Sequence, residues 1–501
     1  MSLHERVALA RDRSVTTGTL LERLARLNDG SRLVAEDGPD GMALTYRQAA
    51  DLVACWAGGI AERVKPGERV VVATPNGYGL FLMCLAIGRA GCVAVPVNPK
   101  MRAEEVAFVV DDSQAALVVR STDDVDGPPM AHAAPADATD VAALFYTSGT
   151  TGKPKGAELS HRALVGQAVK AVLYPSWVHR DEMVTGMPVA HIAGFSMLVL
   201  QACLGVPVYL LRKFRPDAAL DAIEQRRATM FVGVPAMYRM MLEAGAESRD
   251  LSSVRLWGSG ADAMPVDLAQ RFQRMGATVT LPVLHRSLGT AAFFDGYGMV
   301  ELGGGVAVKV SPPGVPLRTP PLVGVPMPGV RMKVVDERGA ELPRGQVGEL
   351  AVRAPAVMRG YHGRTAADDA LTPDGWLRTG DLARRTRLGM VEFAGRKKDV
   401  IKHGGYSVFA VEVEHTLQQH DAVAEAAVVG LPDVRKGEVP AAAVVLRPGC
   451  TISEDELAHW ALEHMADYKA PRRVLVVDDL PRTGTEKVQK AEVRKLFEPP
   501  G

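Results

Sequence analysis

The stretch YTSGTTGKPKG, Tyr146 to Gly156, gathers the residue types that hold a phosphate. Gly149, Gly152 and Gly156 let backbone N–H groups turn toward an anion, Thr147, Ser148, Thr150 and Thr151 offer hydroxyl donors, and Lys153 and Lys155 bring charge. The Walker loop, GxxxxGK followed by Ser or Thr, does not fit. Two residues rather than four separate Gly149 from Gly152, and Pro154 stands where a magnesium-binding hydroxyl belongs. An apolar strand leads in from Leu144, and a helix is expected from His161.

A second glycine pattern, VRLWGSGADAMP, places Gly258, Gly260 and Ala263 in the dinucleotide spacing GxGxxA after a strand. A nicotinamide or flavin site needs an acidic residue about 20 positions further on for a ribose. Val279 to Phe294 contains neither Asp nor Glu, which argues against that chemistry.

Such loops need rigid elements behind them. In the first part of the chain TYRQAADLVACWAGGIAE, LFLMCLAIGRAG and AEEVAFVVDD read as helices, alternating with the strands RVVVATP, CVAVPV and AALVV. That order predicts an α/β fold with two helix-covered, mostly parallel sheets in a large N-terminal domain, residues 1–397. Short β-like runs between Gly and Pro, from about 306 to 395, predict a small β-rich subdomain within it, and residues 398–501 a small α+β C-terminal domain. There Ser453 and Glu456 have capping-box spacing. Ser121 to Asp140 is expected to be a solvated connector. Met183 to Leu211 carries no Asp, Glu, Lys or Arg and is long enough to cross a bilayer, but Gly186, Pro188, Gly205 and Pro207 break it into strand, helix and strand.

Composition narrows the function. With 501 residues the chain exceeds one ordinary core, and 58 Lys+Arg against 58 Asp+Glu gives no pull toward nucleic acid or an anionic membrane. Five cysteines without a CxxC pair argue against a disulfide framework and a zinc site, and fit a reducing cytoplasm. The N-terminal MSLHERVALARDR has no apolar run, so no signal peptide is expected.

YTSGTTGKPKG closely resembles the signature of the acyl-adenylate-forming enzymes, the superfamily of acyl-CoA synthetases, peptide-synthetase adenylation domains and beetle luciferases. Further motifs follow in that family's order: MPVAHIAG at Met187, FVGVPAMY at Phe231, GSGADAMP at Gly258, GYGMVE at Gly296, GWLRTGD at Gly375, GRKKDVIKHGGY at Gly395 and PRTGTEKVQK at Pro481. The resemblance implies an acyl-CoA synthetase that uses ATP, Mg²⁺ and CoA. A carboxylate attacks the α-phosphate of ATP to give acyl-AMP and pyrophosphate, and a thiol then displaces AMP. It further implies that Thr147, Ser148, Gly149, Thr150, Thr151, Gly152 and Lys155 clamp the β- and γ-phosphates, and that Gly260, Ala261, Asp295, Gly296, Tyr297 and Gly298 contact the nucleotide. Glu301 would hold Mg²⁺, Asp381 and Arg396 the ribose, and Lys487 the reacting carboxylate and α-phosphate, with His191 beside the acyl pocket. Lys398 takes the hinge position of a mobile C-terminal domain, whose Gly404 and Gly405, in HGGY, would line the pantetheine path.

The chain departs from the family at Val300, where YGMTE has threonine, at Glu486 in place of a glycine before Lys487, and at Ala190 in place of an aromatic before His191. Ala277 to Asp295 is also longer than usual. The segments expected around the acid, including Ile192, Ala193, Phe195, Met197, Met237 and Gly303 to Gly305, are small or apolar. They point to a fatty or aryl acid. Arg239 leaves a short diacid such as malonate open. The resemblance also admits a carrier protein as the acyl acceptor, and a relative that binds nucleotide without turnover.

Overall fold

RVVV and VAVP are apolar at successive positions, the pattern of strands covered on both faces. In the computed structural model, which describes residues 3–147, 154–174, 181–262, 264–281, 286–315, 322–364, 370–482 and 488–498, they form the buried strands Arg69–Val72 and Val93–Pro96. With Leu117–Val119 and Val141–Thr147 they make a parallel sheet. The helix between them, Tyr78–Arg89, is apolar on every side and buried along nearly its whole length.

A second sheet of nine strands has a parallel centre: Arg32–Glu36, Val208–Leu210, Met183–Thr185, Met230–Gly233, Leu256–Gly260 and Ala292–Met299, in that spatial order. Antiparallel strands finish both edges, and one of them, Gly304–Ser311, carries the start of the segment expected in the β-rich subdomain. The uncharged stretch from Met183 resolves into strand, helix (Ile192–Leu204) and strand. Among the described residues no helix is long and apolar enough to cross a membrane. Phe231, Tyr238, Trp257 and Phe272 meet mostly edge to face, with ring centroids 4.8 to 6.1 Å apart, and brace the central strands.

Two sequence expectations change. The phosphate-type loop is followed by a strand, Lys155–Ser160, antiparallel to Val141–Thr147, and only then by a short helix, His161–Val165. Ala157 and Leu159 are buried on one face of this strand, and Ser160 caps the helix by accepting from the Ala163 N–H. The connector Ser121–Asp140 is tied down rather than merely solvated, since buried Arg89 donates to the carbonyls of Met130 and Ala131 at 2.9 and 3.1 Å. The extra length after Ala277 includes a two-stranded hairpin, Val279–Leu281 with Arg286–Leu288.

Cα packing divides the chain into two compact units. The first holds Met1–Thr319, Gly324–Arg331 and Arg353–Leu371; the second holds Pro320–Val323, Met332–Val352 and Thr372–Gly501. The second unit therefore takes in most of a four-stranded sheet (Arg331–Val335, Val347–Arg353, Leu377–Arg385, Val391–Arg396), its last three strands antiparallel, as well as the last hundred residues. The latter build a five-stranded sheet packed by the helices Ala410–Leu417 and Glu454–His464. Ser453 and Glu456 form the expected capping box, the serine Oγ accepting from the Glu456 N–H at 3.2 Å and the carboxylate accepting from the Ser453 N–H at 2.9 Å.

Candidate active site

In the first unit, Thr147 and Lys155 face each other as the last and first residues of the two strands flanking the glycine-rich loop. Ser148, Gly149, Thr150, Thr151 and Gly152 lie outside the described residues. The outer edge of the Lys155–Ser160 strand is bound by a segment that sequence reasoning did not single out. Glu158 N–H donates to Gly360 O at 2.9 Å, Arg359 N–H to Glu158 O at 2.9 Å, and His362 N–H to Gly156 O at 2.8 Å. This pairing seats Tyr361, whose ring lies under the Lys155 ammonium at 5.1 Å and whose hydroxyl donates to Glu301 Oε1 at 2.7 Å.

Glu301 sits in a single turn of 3₁₀ helix, Val300–Leu302, and is 9% exposed. Met358 N–H donates to its backbone carbonyl at 2.8 Å, a second tie to the same segment. Among the described residues no group of three or more His, Cys, Asp or Glu is placed to hold a metal ion. One carboxylate suits Mg²⁺, a hard cation that takes most of its ligands from phosphate oxygens and water.

The strand ends beside it are shaped for close backbone approach. Ser259 pairs with Asp295 and Gly260 with Gly296. Tyr238 pins this edge, its hydroxyl donating to Gly258 O at 2.6 Å and accepting from Gly258 N–H at 3.1 Å. Ala261 has φ +69°, a left-handed conformation that costs a residue with a Cβ on the order of 1 kcal/mol or more and persists where the surroundings impose it. The ladder shifts register between Tyr297 and Gly298, which re-aims the tyrosine. A Cβ at Gly298 would stand 2.0 Å from Gly304 O, so only glycine fits. Burial pushes the Asp295 carboxyl up to about 6; Lys309, 3.8 Å away, opposes this and Asp262 adds to it.

His191 is the N-cap of the helix Ile192–Leu204, its Nδ1 accepting from the Ala193 N–H at 3.2 Å, which leaves Nε2 to carry the proton of the neutral ring. His191, Ala193 and Ser196 are half-buried, whereas Phe195 turns into the core against Phe81 and Phe145 and is no pocket residue. Ser196 Oγ lies 2.7 Å from where a Cβ on Gly304 would stand, and Met327 comes to 4.0 Å of the same position on Gly305.

In the second unit, Asp381 and Arg396 are cross-strand partners, with Arg396 Nε 3.1 Å from a carboxylate that is 3% exposed. Thr379 fixes the approach to Asp381: its hydroxyl donates to Leu350 O at 2.8 Å and accepts from the Asp381 N–H at 3.1 Å. Glu349 organises the same edge and was missed in the sequence, where an acidic residue in GQVGELAVR carries no signal of its own. Its carboxylate accepts from Arg378 at 2.6 and 3.0 Å, from Lys397 at 3.2 Å and from the Gly380 N–H at 3.1 Å.

Lys398 follows in a 3₁₀ turn. Partial burial draws its ammonium below the usual lysine range; Asp399 opposes this, Arg396 adds to it, Asp381 opposes and Lys490 adds. Gly404 and Gly405 form the two-residue turn of a hairpin, with φ +56° and +87°, between the paired residues His403 and Tyr406. Buried His403 donates from Nδ1 to Glu438 O at 2.8 Å, so its Nε2 accepts from Lys436 at 3.4 Å. Lys487 lies outside the described residues, between Arg482 and Val488, which pair with each other.

Two family models match the chain: AMP-binding enzyme over residues 21–134 and 122–362, and AMP-binding enzyme C-terminal domain over 412–487. The chain belongs to the AMP-binding enzymes. This AMP-binding enzyme is 34% identical to a feruloyl-CoA synthase of Amycolatopsis sp, across 91% of the chain and 94% of that protein. Among solved structures it superposes on ATP-bound MatB from Rhodopseudomonas palustris with a TM-score of 0.83 and 28% identity, covering 97% of the chain and 99% of that structure. It likewise matches the O-succinylbenzoate coenzyme A synthetase of Bacillus subtilis in complex with ATP and a magnesium ion, with a TM-score of 0.79 and 26% identity over 95% and 99%. This AMP-binding enzyme is thus an AMP-forming acid–CoA ligase, with ATP, Mg²⁺ and CoA as its reaction partners.

Proposed function

We propose that this AMP-binding enzyme activates an apolar fatty or aryl acid and transfers the acyl group to CoA. The observation that carries the acid class is a set of mostly small or apolar residues: half-buried His191, Ala193 and Ser196, with Ser196 close to Gly304 and Met327 close to Gly305. His191, Ala193 and Ser196 belong to a stretch, Met183 to Leu211, that carries no Asp, Glu, Lys or Arg. Burying a carboxylate or ammonium of a polar substrate against it would cost several kcal/mol, on the order of what separates substrates from non-substrates. Similarity to a protein named for an aryl acid, feruloyl, supports the same class.

The residue roles follow the chemistry of each position. Thr147 to Gly152 and Lys155 offset charge as pyrophosphate leaves, and Glu301 presents carboxylate oxygen to Mg²⁺, which neutralises phosphate charge when bound. Tyr297 lies against adenine; Gly260, Ala261, Asp295, Gly296 and Gly298 line the nucleotide; Asp381 and Arg396 take the ribose. Lys487 offsets the repulsion between the incoming carboxylate and the α-phosphate. Lys398 is the hinge at which a domain of residues 398–501 moves, after which Gly404 and Gly405 let the pantetheine arm pass.

Incubation with Mg²⁺, ATP, CoA and a panel of fatty, aryl and dicarboxylic acids, with products identified by mass spectrometry, tests the reading. Acyl-CoA and AMP from apolar acids are the expected products. Turnover confined to malonate or another short diacid would move the acid site to Arg239, half-buried on the helix Pro235–Glu243. Acyl-AMP that persists with CoA but is consumed by a carrier protein would replace the acceptor, and nucleotide binding without AMP release would overturn the activity.

A further inference from the structure

We propose that Tyr361 is the positioning residue of the adenylation half-reaction, joining the phosphate-facing lysine to the metal-facing carboxylate. The proposal rests on the roles given above to Lys155 and Glu301. Its phenol donates to Glu301 Oε1 at 2.7 Å, which restricts how the carboxylate can turn, and its ring lies 5.1 Å from the Lys155 ammonium.

Three backbone hydrogen bonds between residues 359–362 and the strand Lys155–Ser160 hold this tyrosine, and a fourth, Met358 N–H to Glu301 O, ties the same segment to the carboxylate's own turn. One short segment therefore sets the spacing of a cation and an anion that belong to different elements. The adjacent residue gives the arrangement added weight. Val300 brings no hydroxyl to this corner, whereas the Tyr361 hydroxyl touches Glu301. A hydrogen bond to one oxygen of a metal-binding carboxylate restricts its rotation and sets which oxygen meets the ion; removing such an outer partner costs about 10–100-fold in metal affinity.

The test is Tyr361→Phe, which keeps the ring under Lys155 and removes the hydroxyl, beside Glu301→Gln and the parent enzyme. Calorimetric titration with ATP, with and without Mg²⁺, needs no knowledge of the acid. Tyr361→Phe should bind ATP alone as the parent does, lose most of the Mg²⁺-dependent gain, and need about 10-fold more Mg²⁺ for half-maximal adenylation. Thioester formation from supplied acyl-AMP should be unchanged. Parental Mg²⁺ dependence in Tyr361→Phe, alongside a lost dependence in Glu301→Gln, would overturn the positioning role and leave the Glu301 reading standing. Parental Mg²⁺ dependence in both would remove the Glu301 reading itself, and equal losses with and without Mg²⁺ would mark Tyr361 as a packing residue only.

Discussion

The two compact units hold their charged site residues by different means. In the first, Lys155 begins a strand and Glu301 sits in a turn, with Tyr361 between them, and Asp295 lies within a strand 3.8 Å from Lys309. In the second, Glu349, Arg378, Asp381, Arg396 and Lys397 lie on three neighbouring strands and the turn after them, where Glu349 pairs with Arg378 and Lys397, and Asp381 with Arg396. A charge with one close partner can be altered with little effect beyond it, whereas a carboxylate shared by several cations trades chemistry against stability. The largest expected effect bears on a residue outside both descriptions. Lys487→Ala should slow adenylation about 10³-fold, the scale of one lost electrostatic stabiliser, while thioester formation from supplied acyl-AMP persists. Equal loss in both half-reactions would show that Lys487 serves folding or general affinity.

Glu349→Gln probes the networked side. It removes the charge that faces Arg378 and Lys397, of which Lys397 is half exposed, so the penalty is well below that of a fully buried pair: about 2 kcal/mol by thermal or urea unfolding. ATP affinity should fall with it, because Gly380 N–H, next to Asp381, loses a charged acceptor. A variant that unfolds like the parent yet binds ATP weakly would mean the network positions without stabilising, and the contrast between the units would narrow.

Asp295→Asn probes the other side and carries a pH signature. The folded carboxyl lies at about 6 against 3.8 in the open chain, so the folded state holds the proton more tightly and stability falls as pH rises between those values. Above that window the asparagine variant should be the more stable, by at most about 3 kcal/mol at ~1.4 kcal/mol per unit, and its stability should be flat where the parent's declines. Thermal melts from about pH 4 to 8 read the difference. A variant whose melting follows the parent's pH profile would show that Asp295 is well solvated.

The sequence carried the fold class because alternating apolar runs with breakers between them admit few arrangements. Met183 to Leu211 is the clearest case: its glycines and prolines marked a strand, a helix and a strand that the structure contains. The strand at Lys155 was less legible, since the glycine-rich run before it read as one loop as far as the helix at His161 and KGAELS shows no clean two-residue alternation. Motif residues were legible one by one. Their supports were not: Tyr361 and Glu349 act through contacts 60 and 29 residues away along the chain, to Glu301 and Arg378, and no local pattern announces such a contact. Phe195 misled for the opposite reason, because an apolar residue in an apolar helix gives no sign of whether it faces a ligand or the core.

The smallest expected effect bears on the corner of the first unit that Tyr361 organises. Val300 begins the turn that carries Glu301, where its relatives in the acyl-adenylate-forming superfamily usually bring a hydroxyl. Val300→Thr swaps a methyl for a hydroxyl of the same shape at a turn held by the Gly303 N–H to Val300 O bond at 2.9 Å, a bond that does not depend on the side chain. If phosphate or metal is close, the hydroxyl adds one hydrogen bond worth about 1 kcal/mol, and adenylation should quicken about 3- to 5-fold at limiting Mg²⁺ with little change in melting temperature. A hydroxyl that reaches only protein would lose its hydration without that gain and leave the rate unchanged or lower. Combined with Tyr361→Phe, the threonine should recover part of the lost Mg²⁺ dependence if both hydroxyls serve the same carboxylate, and strictly additive effects would place them at separate sites.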